Sequence, residues 1–85
     1  MTVAIYGIDK PAAFRLESFM IHNDIGYKRE LDTDNLYNMA GIQVSDDVSI
    51  TLSDEDLVFC KYTDEGATAT SVTIHSSDFY KISIL

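Results

Sequence analysis

The sequence predicts an α+β fold in a single domain that spans residues 1–85. Three observations predict it: one amphipathic helical segment near the N-terminus, alternating apolar residues from position 48 onward, and a hydrophobic content of 46%. The first segments indicate a βαβ unit and the later ones an antiparallel β-meander. We therefore expect one main helix packed on a single sheet.

The first predicted strand covers residues 2–8, an almost continuous apolar run with β-branched and aromatic members. A helix start follows it. Asp9 or Lys10 suits the N-cap, and Pro11 suits the first turn, where its missing N–H costs nothing.

The predicted helix covers residues 11–23, and its large and small apolar residues fall on one face at helical spacing. These residues are Ala12, Ala13, Leu16, Phe19 and Met20. A short strand at residues 27–31 comes next. Two strands joined by one helix are normally parallel and right-handed, which gives the βαβ unit.

Residues 34–40 are compatible with a short helix that begins at Asp34 and stops at Gly41, and residues 42–44 with a short strand. The remaining chain predicts four strands separated by polar turns. They cover residues 48–53, 57–63, 67–76 and 79–85. We expect these strands to pair in sequence order as a meander.

Charge is distributed unevenly along the chain, whose net charge is −8. Residues 1–29 carry a net +1, whereas residues 30–85 carry eleven acids against Lys61 and Lys81, a net −9. Such a surface repels nucleic acids and anionic membranes, and it attracts a protein with a basic surface. An acidic surface also aids solubility, so the charge alone leaves that alternative open.

The candidate partner-binding residues are the acids of the predicted turns. They are Asp46, Asp47, Asp54, Glu55, Asp56, Asp64 and Glu65. Successive turns of a meander alternate between the two ends of the sheet. The sequence therefore leaves open whether these acids form one face or an acidic edge.

No residue pattern indicates catalysis, a metal or a cofactor. Cys60 lies in a predicted strand on the face of Val58 and Tyr62, and we expect a small buried hydrophobe rather than a reactive thiol. His22 and His75 have no ligand at metal-binding spacing. A calcium loop that begins at Asp32 would need Gly and Glu where this chain has other residues.

The first 34 residues resemble the opening of glutaredoxin-like proteins of the thioredoxin fold. The matching text is Val-Ala-Ile-Tyr-Gly at 3–7, Asp-Lys-Pro-Ala-Ala-Phe at 9–14 and Ile-Gly-Tyr-Lys-Arg-Glu-Leu-Asp at 25–32. The two redox cysteines of that family would fall near Lys10 and Ala13, and neither is cysteine. The family's proline before the third strand also has no counterpart. The resemblance therefore implies a scaffold without dithiol chemistry that serves in binding.

These observations together predict a small, acidic, non-enzymatic protein-binding module, an inhibitor or regulator of the phage or mobile-element type. It would engage a basic protein, including a nucleic-acid-binding protein whose phosphate ligand its acids mimic. The alternative is a structural protein that self-associates through the strand at residues 79–85. A lone cysteine and the lack of a signal-peptide pattern or membrane span predict a cytoplasmic location.

Overall fold

The computed structural model describes residues 2–31, 36–45, 47–62 and 69–84, which form one helix and two antiparallel sheets. The elements in chain order are β1 (Thr2–Asp9), α1 (Lys10–His22), β2 (Glu30–Leu31), β3 (Leu36–Gln43), β4 (Val48–Ser53), β5 (Asp56–Tyr62), β6 (Ala69–Ile74) and β7 (Lys81–Ile84). The predicted α+β class is confirmed. The single predicted sheet is replaced by two, because none of β1, β2, β3 and β7 pairs with β4, β5 or β6.

The first sheet has the strand order β2-β3-β1-β7, and each neighbouring pair is antiparallel. Two antiparallel steps separate β2 from β1, so these strands run in the same direction with β3 between them. The expected strand–helix–strand order is present, but its two strands are not the adjacent parallel pair that we predicted. The strand predicted at residues 27–31 is also shorter and covers only Glu30–Leu31.

Two glycines adjust the pairing of β1 with β3. The register moves from Val3 opposite Ile42 to Ile5 opposite Met39, which places one extra residue in β3, where Gly41 has φ +73°. The next shift places one extra residue in β1, where Gly7 has φ +66°. Each is a β-bulge, and its left-handed residue favours glycine.

β3 overturns the prediction of a short helix at residues 34–40. Leu36–Gln43 is a strand, because it lies between β2 and β1 and its backbone is paired on both sides. Gly41 does not stop a helix but forms the bulge. The predicted N-cap, Asp34, lies outside the described residues.

The helix begins and ends close to the predicted positions. Asp9 is the N-cap residue, although its side chain makes no capping hydrogen bond, and Pro11 lies in the first turn. At the C-terminus Asp24 adopts φ +55°, and the Ile25 N–H donates to the Met20 carbonyl at 2.9 Å. This is a Schellman arrangement with aspartate in the usual glycine position.

The second sheet has the order β4-β5-β6, so three of the four strands of the predicted meander are confirmed. The prediction failed for the fourth. β7 pairs with β1, with Val3 opposite Ile84 and Tyr6 opposite Lys81. The two chain regions that are farthest apart in sequence are therefore hydrogen-bonded neighbours.

One hydrophobic core joins the helix to both sheets. The predicted apolar helix face is confirmed, since Ala12, Ala13, Leu16 and Met20 are buried and Phe19 is partly buried. The sheets add the other fully covered side chains: Val3, Ile5 and Ile8 from β1, Met39 and Ile42 from β3, Leu57 and Phe59 from β5, and Ile74 from β6. Because α1 contacts β1, β3 and β6, it fixes one sheet relative to the other.

Candidate protein-interaction surface

The hairpin of β4 and β5 positions the predicted acids at its two ends. Ser53 pairs with Asp56, so Asp54 and Glu55 alone form the connecting turn. At the other end of this six-residue strand, Val48 pairs with Lys61. At about 3.4 Å per residue, the two ends are roughly 20 Å apart.

Asp54 and Glu55, hereafter the acidic turn, both have left-handed backbones, with φ +51° and +70°. A two-residue hairpin loop with positive φ at both positions is a type I′ turn, which matches the twist of the flanking strands. Asparagine, aspartate and glycine prefer these positions, so Glu55 costs about 1–2 kcal/mol of backbone strain where glycine would cost none. Both residues are exposed, and neither forms a hydrogen bond or ion pair with a described residue.

The Asp56 carboxylate is already engaged by residues of the same chain. Its Oδ1 accepts the Ser76 N–H at 3.0 Å, and its Oδ2 lies 3.3 Å from Nδ1 of His75. The hydrogen bond from Ser76, followed by the one from His75, lowers the pKa of the Asp56 carboxyl. Asp56 therefore holds the chain as it leaves β6, and we remove it from the set of partner-binding candidates.

Asp78 adds to this connection from a single 3₁₀ turn, Ser76–Asp78. Its Oδ2 accepts the His75 N–H at 3.1 Å and lies 3.3 Å from Nη2 of Arg15 on α1. The pair ties the helix to the segment between β6 and β7. Sequence reasoning did not single out Asp78, because its ion-pair partner, Arg15, is distant in sequence.

Asp47 lies at the opposite end of the hairpin and is also engaged. Its Oδ2 lies 2.9 Å from Nζ of Lys61, and the Ser45 hydroxyl donates to its other oxygen. The bond from Ser45, followed by the one from Lys61, lowers the pKa of Asp47. The side chain remains 43% exposed, so it still contributes negative potential at this end.

The remaining predicted sites, Asp46, Asp64 and Glu65, lie outside the described residues. The structure therefore does not bring the described acids onto one face. It separates the acidic turn from Asp47 by the length of β4. The expectation that meander turns alternate between ends concerns Asp64 and Glu65 and so stays a prediction. Of the four described acids in the predicted set, only Asp54 and Glu55 remain unpaired within the described ranges.

Cys60 is not the buried residue that we predicted. It lies in β5 on the outer face, between Ser49 of β4 and Ser71 of β6, and it is partly exposed. No helix covers that face in the described parts, whereas Phe59 on the opposite face is completely buried. The predicted side of the strand was right, and the predicted burial was wrong.

A shallow cleft of ≈ 320 Å³ lies where the chain leaves α1 and passes the end of β3. Its lining residues are Asp24, Ile25, Gly26, Gln43, Val44 and Ser45. Asp24 is the only charged residue among them, so this cleft contains no paired acid and base. Within the described ranges, no three His, Cys, Asp or Glu side chains are grouped as metal ligands would be.

The hydrogen bonds of the Asp56 carboxylate should make the free energy of unfolding depend on pH. The folded-state pKa of this carboxylate lies below the ordinary 3.8, so the unfolded chain binds the proton more tightly. The stabilisation is therefore present above the ordinary pKa and is lost as the pH falls through the folded one. Between about pH 5 and about pH 3, we expect the free energy of unfolding to fall less steeply in Asp56→Asn than in the wild type.

Urea unfolding at a series of pH values measures this difference. Asp54→Asn is the control, because its carboxylate has no hydrogen bond to lose among the described residues and the variant should follow the wild-type curve. If Asp56→Asn and wild type gave parallel curves, the carboxylate would not hold the 3₁₀ turn in solution.

No protein-family model matches the chain, and searches of curated proteins and of solved structures found no similar protein. The resemblance of residues 1–34 to glutaredoxin-like proteins therefore stays a prediction. No helix in the described ranges has both the length and the apolar character needed to cross a membrane.

Proposed function

We propose that this chain is a small, acidic, non-enzymatic protein-binding module that engages a basic surface of another protein, as an inhibitor or a regulator. The acidic turn carries the proposal. It presents two adjacent carboxylates at a hairpin tip, exposed and without a partner among the described residues. The net charge of −8 adds a long-range attraction for a basic partner.

The distribution of ion pairs supports this assignment. Three arginine or lysine side chains are paired within the described ranges: Arg15 with Asp78, Arg29 with Glu17 and Lys61 with Asp47. None of these pairs includes Asp54 or Glu55. The partner best suited to these two carboxylates is therefore a cation from another molecule, such as the arginine or lysine of a nucleic-acid-binding surface.

A charge-neutralised variant tests the proposal. Asp54→Asn combined with Glu55→Gln removes two negative charges at the hairpin tip, and we expect about tenfold weaker binding to the basic proteins that the wild type captures. Binding should also weaken strongly between about 0.1 M and about 1 M salt, where the screening length falls from about 10 Å to about 3 Å. Immobilised protein, mass spectrometry and then titration of the recovered proteins measure both effects.

Asp9→Asn combined with Asp24→Asn is the matched control. It changes the net charge by the same amount on exposed residues outside β4, β5 and the acidic turn, and asparagine tolerates the left-handed backbone of Asp24. This control should bind like the wild type. Equal weakening in both double variants would show a general charge effect, and salt-insensitive binding would contradict electrostatic capture.

Self-association is a second candidate function, favoured by the position of β7. Among the described strands, β7 is at the edge of its sheet and pairs with β1 alone, and the neighbouring Tyr80 is 81% exposed. Ile84 within the strand is 40% exposed. An apolar edge strand can pair with a second copy. Sedimentation across a range of concentrations decides, because a strict monomer would contradict this candidate.

A further inference from the structure

The outer edge of β4 presents backbone groups that are open to another strand. β4 pairs with β5 on one side and has no other neighbour among the described strands. The Tyr62 N–H donates to the Asp47 carbonyl at 2.9 Å. This bond shows which residues of β4 direct their N–H and C=O groups toward β5. In an antiparallel pair these bonded residues alternate with residues whose N–H and C=O point outward. The outward-pointing residues are therefore Val48, Ile50 and Leu52.

One of these groups is already used. The Val48 N–H donates to the Ser45 carbonyl at 3.0 Å. The N–H groups of Ile50 and Leu52 remain, together with the carbonyls of all three residues. Two donors and three acceptors on alternate residues are the pattern that an added antiparallel or parallel strand requires.

The strand itself lacks the features that normally block such pairing. Val48–Ser53 contains no charged residue and no proline, both of which proteins use to protect edges. Leu52 is 55% exposed beside its unpaired N–H, so it offers an apolar contact to an incoming side chain. The other edge strand of this sheet, β6, contacts α1.

The charges at the two ends of β4 determine which kind of strand can pair with its open edge. The acidic turn lies at one end of β4 and Asp47 at the other, roughly 20 Å apart along the strand. Two-fold pairing of two copies through β4 would bring Asp47 of each copy to the acidic turn of the other, and each chain carries a net −8. Like charges at both ends oppose that dimer.

We propose that β4 accepts an extended segment of a basic partner protein as a fourth strand, with lysine or arginine flanking about six uncharged residues. The proposal rests on the proposed function and names the element through which the partner would be held. Main-chain hydrogen bonds to Ile50 and Leu52 supply the register, and the acidic turn binds the flanking cations.

A synthetic ten-residue peptide tests this mode: three Val-Thr repeats with two lysines at each end. The flanks place a cation at the acidic turn in either strand direction. Titration into the wild-type protein should slow the amide hydrogen exchange of Ile50 and Leu52. The Thr51 N–H points to Thr51's partner in β5 and should be unaffected. A peptide with glutamates in place of the lysines should bind at least tenfold more weakly.

Leu52→Pro removes one outward donor without removing a bond to β5, as proline is tolerated at such edge positions. Its affinity for the lysine peptide should fall about tenfold or more, and Leu52→Ala, which keeps the N–H, should retain most of the binding. A urea curve confirms that the proline variant is folded. The exchange measurement on the wild type does not depend on that variant.

The outcomes separate the two proposals. Equal peptide binding by wild type and a folded Leu52→Pro, or binding without protection of Ile50 and Leu52, would overturn the strand-addition proposal and leave electrostatic capture standing. If the protein captured basic proteins but did not bind the lysine peptide, the strand-addition proposal would also be overturned and electrostatic capture would stand. A dimer of the protein alone that Leu52→Pro abolishes would identify a second copy as the occupant and also overturn it.

Discussion

Phe59→Ala is expected to lower the free energy of unfolding by about 3–5 kcal/mol, a large part of the about 5–15 kcal/mol by which domains are usually stable. Phe59 is in the central strand of the second sheet, between Ile50 of β4 and Val72 of β6, and it is completely buried. Its ring is among the largest fully buried side chains. Truncation removes the transfer free energy of that ring and leaves a cavity under the sheet.

Val58→Ala is the matched control for this change. Val58 is the neighbouring residue of β5 on the outer, partly exposed face, so its truncation should cost only about 1 kcal/mol. Urea unfolding followed by far-ultraviolet circular dichroism gives both values. Similar losses in the two variants would mean that the two faces of β5 are equally buried in solution.

Gly7→Ala is expected to cost about 2–5 kcal/mol for two separate reasons. The left-handed backbone, φ +66°, costs an alanine about 1–2 kcal/mol. A Cβ at this position would also lie 3.0 Å from the Cβ of Tyr80, where carbon atoms normally stay about 3.5–4.0 Å apart. Relief of that contact costs about 1–3 kcal/mol and shifts β7, which follows Tyr80.

Two other glycines separate the two contributions. Gly41 has φ +73° with no atom within 4 Å of an added Cβ, so Gly41→Ala should show the backbone cost alone, about 1–2 kcal/mol. Gly26 has neither a left-handed backbone nor a close neighbour, so Gly26→Ala should cost nothing. Thermal or urea unfolding should rank the variants in that order. If Gly7→Ala and Gly41→Ala cost the same, the added Cβ would be accommodated beside Tyr80 at no cost, and the steric part of this prediction would be wrong.

The sequence predicted those elements whose evidence is local. The helical spacing of Ala12, Leu16 and Met20 predicted α1, and the alternation of Val48 with Ile50 predicted β4. The segment that became β3 was misassigned because Leu36–Gln43 is compatible with a helix on its own. Its strand conformation comes from β1 and β2, and no residue within the segment specifies those partners.

The same distinction applies to the candidate site. Local turn chemistry predicted that Asp54 and Glu55 would be exposed, and the structure places them in a two-residue turn. The engagement of Asp56 could not be predicted, since His75 and Ser76 approach it only after β6 pairs with β5. The edge position of β4 was equally hidden, because the sequence predicts a strand but not which of its sides stays unpaired.

The pairing of β1 with β7 has a consequence for how the chain reaches its native state. Val3 and Ile84 pair in the sheet although almost the whole described chain lies between them in sequence. Forming this contact therefore closes a very long loop, at a large cost in conformational entropy. The β4–β5 hairpin needs only a two-residue closure and can form early. We therefore expect the pairing of β1 with β7 to form last in folding, so that one side of β1 is unpaired in the preceding intermediate. This last pairing should limit the refolding rate.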